Sequence, residues 1–129
     1  LRAPDAGVGL PREDAERVVA WIGLRDLQSA AEGAPADSRA VRELRELFSW
    51  LDAYGIADRV VFDTSVVRGL AYYTGVVFEA YDADRKLRSI CGGGRYDRLL
   101  ESLGGSPLPA VGFGFGDVNA CLVYRKWND

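Results

Sequence analysis

Apolar residues recur at three- and four-residue steps through the first half of the chain, and at two-residue steps through much of the second. Between Leu10 and Leu24, Ala15, Val18, Val19 and Ile22 fall on one helical face. Glu13, Asp14 and Glu16 occupy the early turns, where acids suit the helix dipole, and Gly23 is a natural stop. Residues 31–37, "AEGAPAD", read as a loop punctuated by Gly33 and Pro35. Asp37 or Ser38 can cap a second helix whose stripe is Val41, Leu44, Leu47, Phe48, Leu51 and Tyr54, closed by Gly55. That stripe reads most simply as core packing. It is only about two heptads long, short for a coiled coil.

From residue 59 the period changes. "RVVFD" (59–63) reads as a short strand and residues 73–81 as a longer one. Val76, Phe78 and Ala80 fall on one side of it, with Val77, Glu79 and Tyr81 on the other. "DADR" (82–85) predicts a turn and "KLRSIC" (86–91) a returning strand. Gly92, Gly93 and Gly94 then lead into a predicted helix, "RYDRLLESLGG". "AVGFGFG" (110–116) predicts another strand, and Asp117 opens a helix or tail. Helices first, then a mostly antiparallel sheet of about four strands with an inserted helix, is an α+β pattern. The division expected is a helical segment over 1–58 and a sheet-bearing segment over 59–129.

A chain of 129 residues with 48% hydrophobic content is expected to fold with a core of its own. The net charge of -3 argues against a broad phosphate-binding face. No apolar run approaches the ~20 residues of a membrane span, and no secretory signal is read at the N-terminus. Cys91 and Cys121 form no CxxC pair, which points to a reducing compartment. The sequence has no histidine. That removes Ser-His-Asp and Cys-His catalysis and histidine ligation of metals. Chemistry is left to carboxylates, arginine, tyrosine, backbone amides or a partner chain.

Three stretches could carry it. In "VVRGLAYYTGVVFEAYD" (66–82), Arg68 offers fixed donors for a carboxylate or phosphate, and Tyr72 and Tyr73 follow closely. Alternating strand geometry predicts one tyrosine facing a pocket and its neighbour packing elsewhere. A surface arginine beside two core aromatics is the plainer alternative. In "GGGRYD" (92–97), three glycines allow a ligand or backbone to come close, and a following helix N-terminus would offer free N–H groups to an anion. A tight strand-to-helix connection is the alternative there. In "GFGFG" (112–116), both phenylalanines face one side and the glycines leave the other side bare. Asp82 and Asp84 read as solvated turn residues, and no acid pair with Glu79 suggests glycosidase or metal chemistry.

Together, "VVRGLAYYTGVVFEAYD", "SICGGGRYDRLL" and "PAVGFGFGDV" resemble the back half of the class II histidyl-tRNA synthetase catalytic domain, from about Val60 to Asp117. The resemblance implies a partial class II synthetase-type antiparallel sheet with flanking helices. It implies histidine activation with ATP and Mg2+, and transfer to tRNA, with no metal held by protein ligands in this chain. Arg68 would stabilise charge at the α-phosphate. Arg68, Tyr72, Tyr73, Gly93, Gly94 and Tyr96 would line the histidine pocket. Gly112, Gly114 and Gly116 would form part of the ATP floor.

The chain departs from the family pattern in three ways. Ala71 replaces a typical acid. Asn119 stands where the third class II motif often has an adenine-stacking arginine. The first two class II motifs and an anticodon-binding domain are not read in this sequence. The chain alone is therefore expected to be inactive, working with a complementing synthetase chain. The alternative is a non-catalytic structural or regulatory subunit of a larger assembly. The expected location is intracellular, in the cytoplasm, a mitochondrion or a plastid.

Overall fold

A computed structural model describes residues 9–69 and 71–128. The N-terminus examined for a secretory signal, Leu70 of the "RGL" stretch and the final Asp129 lie outside the described residues. The chain divides into two compact units, Leu1–Ser65 and Val66–Asp129.

The first unit is helical. Helix α1 spans Arg12–Ile22, with Glu13 and Asp14 in its first turn and Gly23 at its end. Helix α2, Leu27–Glu32, falls partly in the stretch expected to be a loop. Its N-cap is Asp26, whose carboxylate accepts from the Ser29 amide at 3.0 Å. Those bonds from Ser29 hold the Asp26 carboxyl below its usual range. Helix α3, Arg39–Ala53, starts at the expected cap, Ser38. It ends before Gly55, whose φ of +70° is the left-handed conformation that glycine adopts freely.

Residues 59–63 do not form the expected strand. A single 3-10 turn covers Ala57–Arg59, and Val60 is extended but pairs with no strand among the described residues. A strand needs a ladder partner for its amides, and these residues are held by side chains instead. Phe62 lines an apolar cleft of about 280 Å3 with Trp21, Leu27, Ala30, Val41 and Leu44. Asp63, nearly buried, pairs with Arg25 at 2.9 Å. The Thr64 hydroxyl donates to the Trp21 carbonyl at 2.5 Å.

The second unit carries an antiparallel sheet in the order β1-β2-β3, formed by Val77–Ala80, Cys91–Tyr96 and Ala110–Phe115. Among the described residues three strands stand where about four were expected. The glycine triplet is not a strand-to-helix connection. Gly92, Gly93 and Gly94 are buried in the middle of the central strand, paired on both sides. The following helix α4 is only Leu99–Ser102, so no helix N-terminus abuts the glycines. Helix α5 runs over Asp117–Asn128.

Asp82 is not a solvated turn residue. It is 4% exposed, and its carboxylate accepts from Lys126, in the last turn of α5, at 2.6 Å. The same ammonium reaches Asp84 at 2.8 Å. Bonding to Lys126 pulls both carboxyls below their ordinary range, and the two acids raise the lysine.

The expected closed core is not formed. Among the described residues, Ala30 is the buried hydrophobic, while many large apolar side chains stand at least one-third exposed. The stripes are amphipathic as expected, but each meets only part of a covering surface.

Candidate functional site

The register of the sheet determines what can lie on it. Residues directly opposite one another in antiparallel strands share a face. Val77 lies opposite Gly94 and Glu79 opposite Gly92. Gly92 lies opposite Gly114, Gly94 opposite Gly112 and Tyr96 opposite Ala110. One face therefore carries four glycines in a two-by-two block, bounded by Val77, Glu79 and Tyr96. The other carries Phe78, Gly93, Val111, Phe113 and Phe115.

The segment before β1 supplies two of the side chains that cover the glycines, and the end of β2 a third. Its backbone is tied to the sheet beyond the formal strand ends. The Thr74 amide donates to the Arg95 carbonyl at 2.9 Å, and the Arg95 amide to the Val76 carbonyl at 2.9 Å. The Asp97 amide donates to the Thr74 hydroxyl at 2.9 Å. This anchorage lays Arg68, Tyr72 and Tyr73 against the sheet.

The Arg68 guanidinium sits over Gly92, where a Cβ would collide with its Nη1. Tyr73 sits over Gly94, where a Cβ would come within 2.8 Å of the ring. The Tyr96 hydroxyl lies over Gly112, 2.6 Å from where a Cβ would stand. Only the space above Gly114 is open: a Cβ there meets nothing within 4 Å. Three glycine positions are filled by chemistry-bearing side chains, and the fourth leaves a bare spot beside the arginine.

Both tyrosines join the same cluster, contrary to the expected split between pocket and packing. Their ring centroids are 4.7 Å apart, and Tyr96 lies 5.6 Å from Tyr72 and 6.4 Å from Tyr73. The reason is local: Ala71 and Tyr72 form a turn, not a strand, so strict alternation does not apply. A hydrogen bond with Tyr73 raises the Tyr72 phenol above its ordinary range; desolvation and the neighbouring phenols add to this, and Arg68 opposes it.

Arg68 donates through Nη1 to Glu79 Oε1 at 2.7 Å, and both side chains are about four-fifths buried, at 22% and 20% exposure. The other Glu79 oxygen accepts from the Tyr81 hydroxyl. That bond to Glu79 is the main reason the Tyr81 phenol is raised.

Of the sequence candidates, the structure brings Arg68, Tyr72, Tyr73, Gly94, Tyr96, Gly112 and Gly114 to one face. Gly93 opens to the other, where a Cβ would meet the Gly112 carbonyl and Phe113. Gly116 lies past the end of β3, and its amide donates to the Ile90 carbonyl at 2.7 Å. Asn119 donates to the Ser89 carbonyl at 3.0 Å. Glu79, Tyr81 and Gly92 were not singled out as site residues. Pairing the hairpin so that residue 79 meets residue 92 would have exposed all three, because it puts an acid under the arginine. Among the described residues, no three His, Cys, Asp or Glu side chains come together to hold a metal ion, and no helix is long and apolar enough to cross a membrane.

A guanidinium fixed over bare backbone, edged by three phenols, suits a small ligand that carries an anion and a flat polar ring. Comparison with known proteins agrees with that architecture. Residues 21–118 match the histidyl-tRNA synthetase family. The histidine–tRNA ligase, chloroplastic/mitochondrial, of Arabidopsis thaliana is 46% identical over 109 residues, covering 84% of this chain and 22% of that protein. The crystal structure of histidyl-tRNA synthetase from Nostoc sp. PCC 7120 superposes with a TM-score of 0.74 at 26% identity, over 93% of this chain and 31% of that one. An ATP phosphoribosyltransferase regulatory subunit/histidyl-tRNA synthetase from Bacillus halodurans gives a TM-score of 0.74 at 31% identity, over 95% of this chain and 32% of that one. The chain thus spans between about a fifth and a third of the length of these relatives. With residues 21–118 matching the family and a relative 46% identical over most of this chain, the chain belongs to the histidyl-tRNA synthetase family.

Proposed function

We propose that this chain supplies the histidine-adenylate side of a class II catalytic domain and acts together with residues it does not itself carry. The observation that carries the reading is the Arg68 guanidinium, held over Gly92 beside the open space at Gly114 and next to Tyr72, Tyr73 and Tyr96. In the reaction, a carboxylate oxygen of histidine attacks the α-phosphorus of ATP. A new O–P bond forms, the bond to the bridging oxygen breaks, and pyrophosphate leaves. Negative charge builds on the α-phosphate oxygens as this happens. A preorganised cation in a partly dry site stabilises that charge without reorienting. The phenols would bond the imidazole and exclude water. The bare backbone at Gly114 would let the adenylate lie flat on the sheet. ATP reacts in such steps as its Mg2+ complex. That ion would be held chiefly by the phosphates themselves. The adenylate would then pass histidine to tRNA.

The test is a chimera in which residues 21–118 replace the matching segment of the Arabidopsis ligase. Histidine-dependent pyrophosphate exchange by the chimera is the expected result. The 129-residue chain alone should show none. A folded but inactive chimera would sink the reading.

A second reading has its own support. The Asn119 side chain is tied to the Ser89 carbonyl at the position where an adenine-stacking arginine is expected. One similar structure is also described as a regulatory subunit. On this reading the chain is a non-catalytic part of a larger assembly. Gentle extraction and sizing, with mass spectrometry of co-eluting proteins, separates the two. A partner carrying the remaining synthetase motifs supports catalysis, and an assembly unrelated to aminoacylation supports the subunit role. We place the protein inside the cell, and the Arabidopsis relative's name makes an organelle the first compartment to examine.

A further inference from the structure

We infer that Glu79 is a positioning residue for Arg68, and that Tyr81 fixes Glu79 in turn. The inference rests on the catalytic reading above for its consequence, but not for its geometry. Arginine has a long side chain with many rotamers, and ordering it has an entropic cost. Here the head of the side chain is located on two sides. Gly92 lets it lie on the strand with no Cβ in the way. Glu79 Oε1 accepts from Nη1 at 2.7 Å. The carboxylate is itself located, because its other oxygen accepts from the Tyr81 hydroxyl. The Arg85 guanidinium lies over the Tyr81 ring, 4.6 Å from its centroid. The chain of contacts runs Arg85, Tyr81, Glu79, Arg68.

Glu79 and Gly92 are directly opposite in the register, and Gly92 is opposite Gly114. Glu79 therefore sits on one flank of Gly92 and the open space at Gly114 on the other. The guanidinium lies over Gly92 between them. A carboxylate at Gly114's position would compete with substrate for the cation. A carboxylate at residue 79 holds the cation from behind and leaves its remaining donors for the substrate side. Glu79 is not a catalytic residue on this account, since it acts only through Arg68.

The test has two arms. The first uses the 129-residue chain as it stands. Heteronuclear NMR of the arginine side chains, with Arg68 assigned by its loss in Arg68→Lys, reads how tightly the guanidinium is held. Distinct, slowly rotating N–H signals are expected in the parent. They should merge in Glu79→Gln and broaden in Tyr81→Phe, with the melting transition kept as a check on folding. Unchanged Arg68 signals in Glu79→Gln overturn the inference, whatever the chain's function.

The second arm uses the chimera. Displacing a reacting group's partner by about 1 Å can lower a rate by about 100-fold. Glu79→Gln should lower kcat for pyrophosphate exchange by at least ~10-fold, with KM for histidine changed less than ~3-fold. Tyr81→Phe should show the same split with a smaller loss. A rise in KM with kcat unchanged would make Glu79 a plain binding or folding residue. If the parent chimera is inactive, the catalytic reading fails, and the NMR arm still decides whether Glu79 positions Arg68.

Discussion

The two faces of the three-stranded sheet are built from the same strands and have opposite characters. On one, Gly92, Gly94, Gly112 and Gly114 carry no side chains, and Arg68, Tyr73 and Tyr96 lie over three of them. On the other, Phe78, Phe113 and Phe115 project large rings of their own and stay 39%, 66% and 62% exposed. Phe78 and Phe113 contact each other with centroids 6.5 Å apart, but that still leaves Phe113 mostly exposed. A face made of glycine must import its functional groups, and it takes Arg68 and Tyr73 from the segment before β1 and Tyr96 from the end of β2. A face made of phenylalanine supplies its own bulk and needs cover from elsewhere. Fully burying one such ring is worth roughly 1.5–3 kcal/mol, so the uncovered face is where added structure would stabilise the sheet most.

The contrast can be broken by filling the wrong side. Gly93→Val has the largest expected effect on folding. Its Cβ would be driven into the Gly112 carbonyl and within 2.6–2.7 Å of Phe113, and those neighbours include backbone that cannot move aside. The loss should be about 3 kcal/mol or more. A urea midpoint close to the parent's would refute the register.

Arg68→Ala should come next, and it acts on chemistry. In the chimera, adenylate formation should fall by about 100-fold or more, while histidine binding measured by calorimetry falls only a few-fold. Equal losses in both would make Arg68 an ordinary binding residue.

Lys126→Met probes a third place, the clamp on the β1–β2 connection. It strands the Asp82 carboxylate, whose side chain is fully covered. The melting temperature should fall at neutral pH and recover partly on acidification, as Asp82 takes up a proton. The parent should behave in the opposite way. Its Asp82 and Asp84 are depressed below 3.8 in the fold, so the stability they contribute is present above about that pH. It is lost only as pH falls through the depressed values. Lys126, raised above 10.5, contributes up to that pH and loses its contribution as pH rises further. A parent melting temperature that slopes between pH 5 and 9 because of this cluster would contradict the assignment.

The smallest effects on stability sharpen the comparison. Gly114→Ala should leave the fold unchanged, since the new methyl meets nothing, yet it should weaken adenylate binding in the chimera. Phe113→Ala should cost the isolated chain less than about 1 kcal/mol, because an exposed ring contributes little. Binding that survives Gly114→Ala would mean that the bare spot is not part of the site.

Much of this was legible in the sequence, and the failures share a physical cause. Helices α1 and α3 announce themselves by apolar stripes, and Ser38 and Gly55 mark the ends of α3. The two-sided character of β3 follows from the alternation of glycine and phenylalanine. Alternation cannot be read where there are no side chains to alternate, so the sequence pattern ends the strand at Cys91 where β2 in fact begins, and its glycines look like a connection. Arg68, Tyr73 and Tyr96 were identifiable by type, but their support was not. Glu79 gains its meaning from residue 92, and Asp82 from residue 126. The stretch 59–63 has strand-like composition, but pairing depends on a partner, and composition does not reveal one.

The glycine floor also sets how this part of the molecule can vary. Glycine is the smallest residue, so a missense change at positions 92, 93 or 94 can only add atoms. Each added Cβ comes within 3.0 Å of a neighbour already in place. A saturation scan of the three codons would be one-sided, with no substitution that relieves crowding and no reservoir of neutral alleles. Variation on this face would have to enter through the side chains above the floor, at residues 72, 73 and 96.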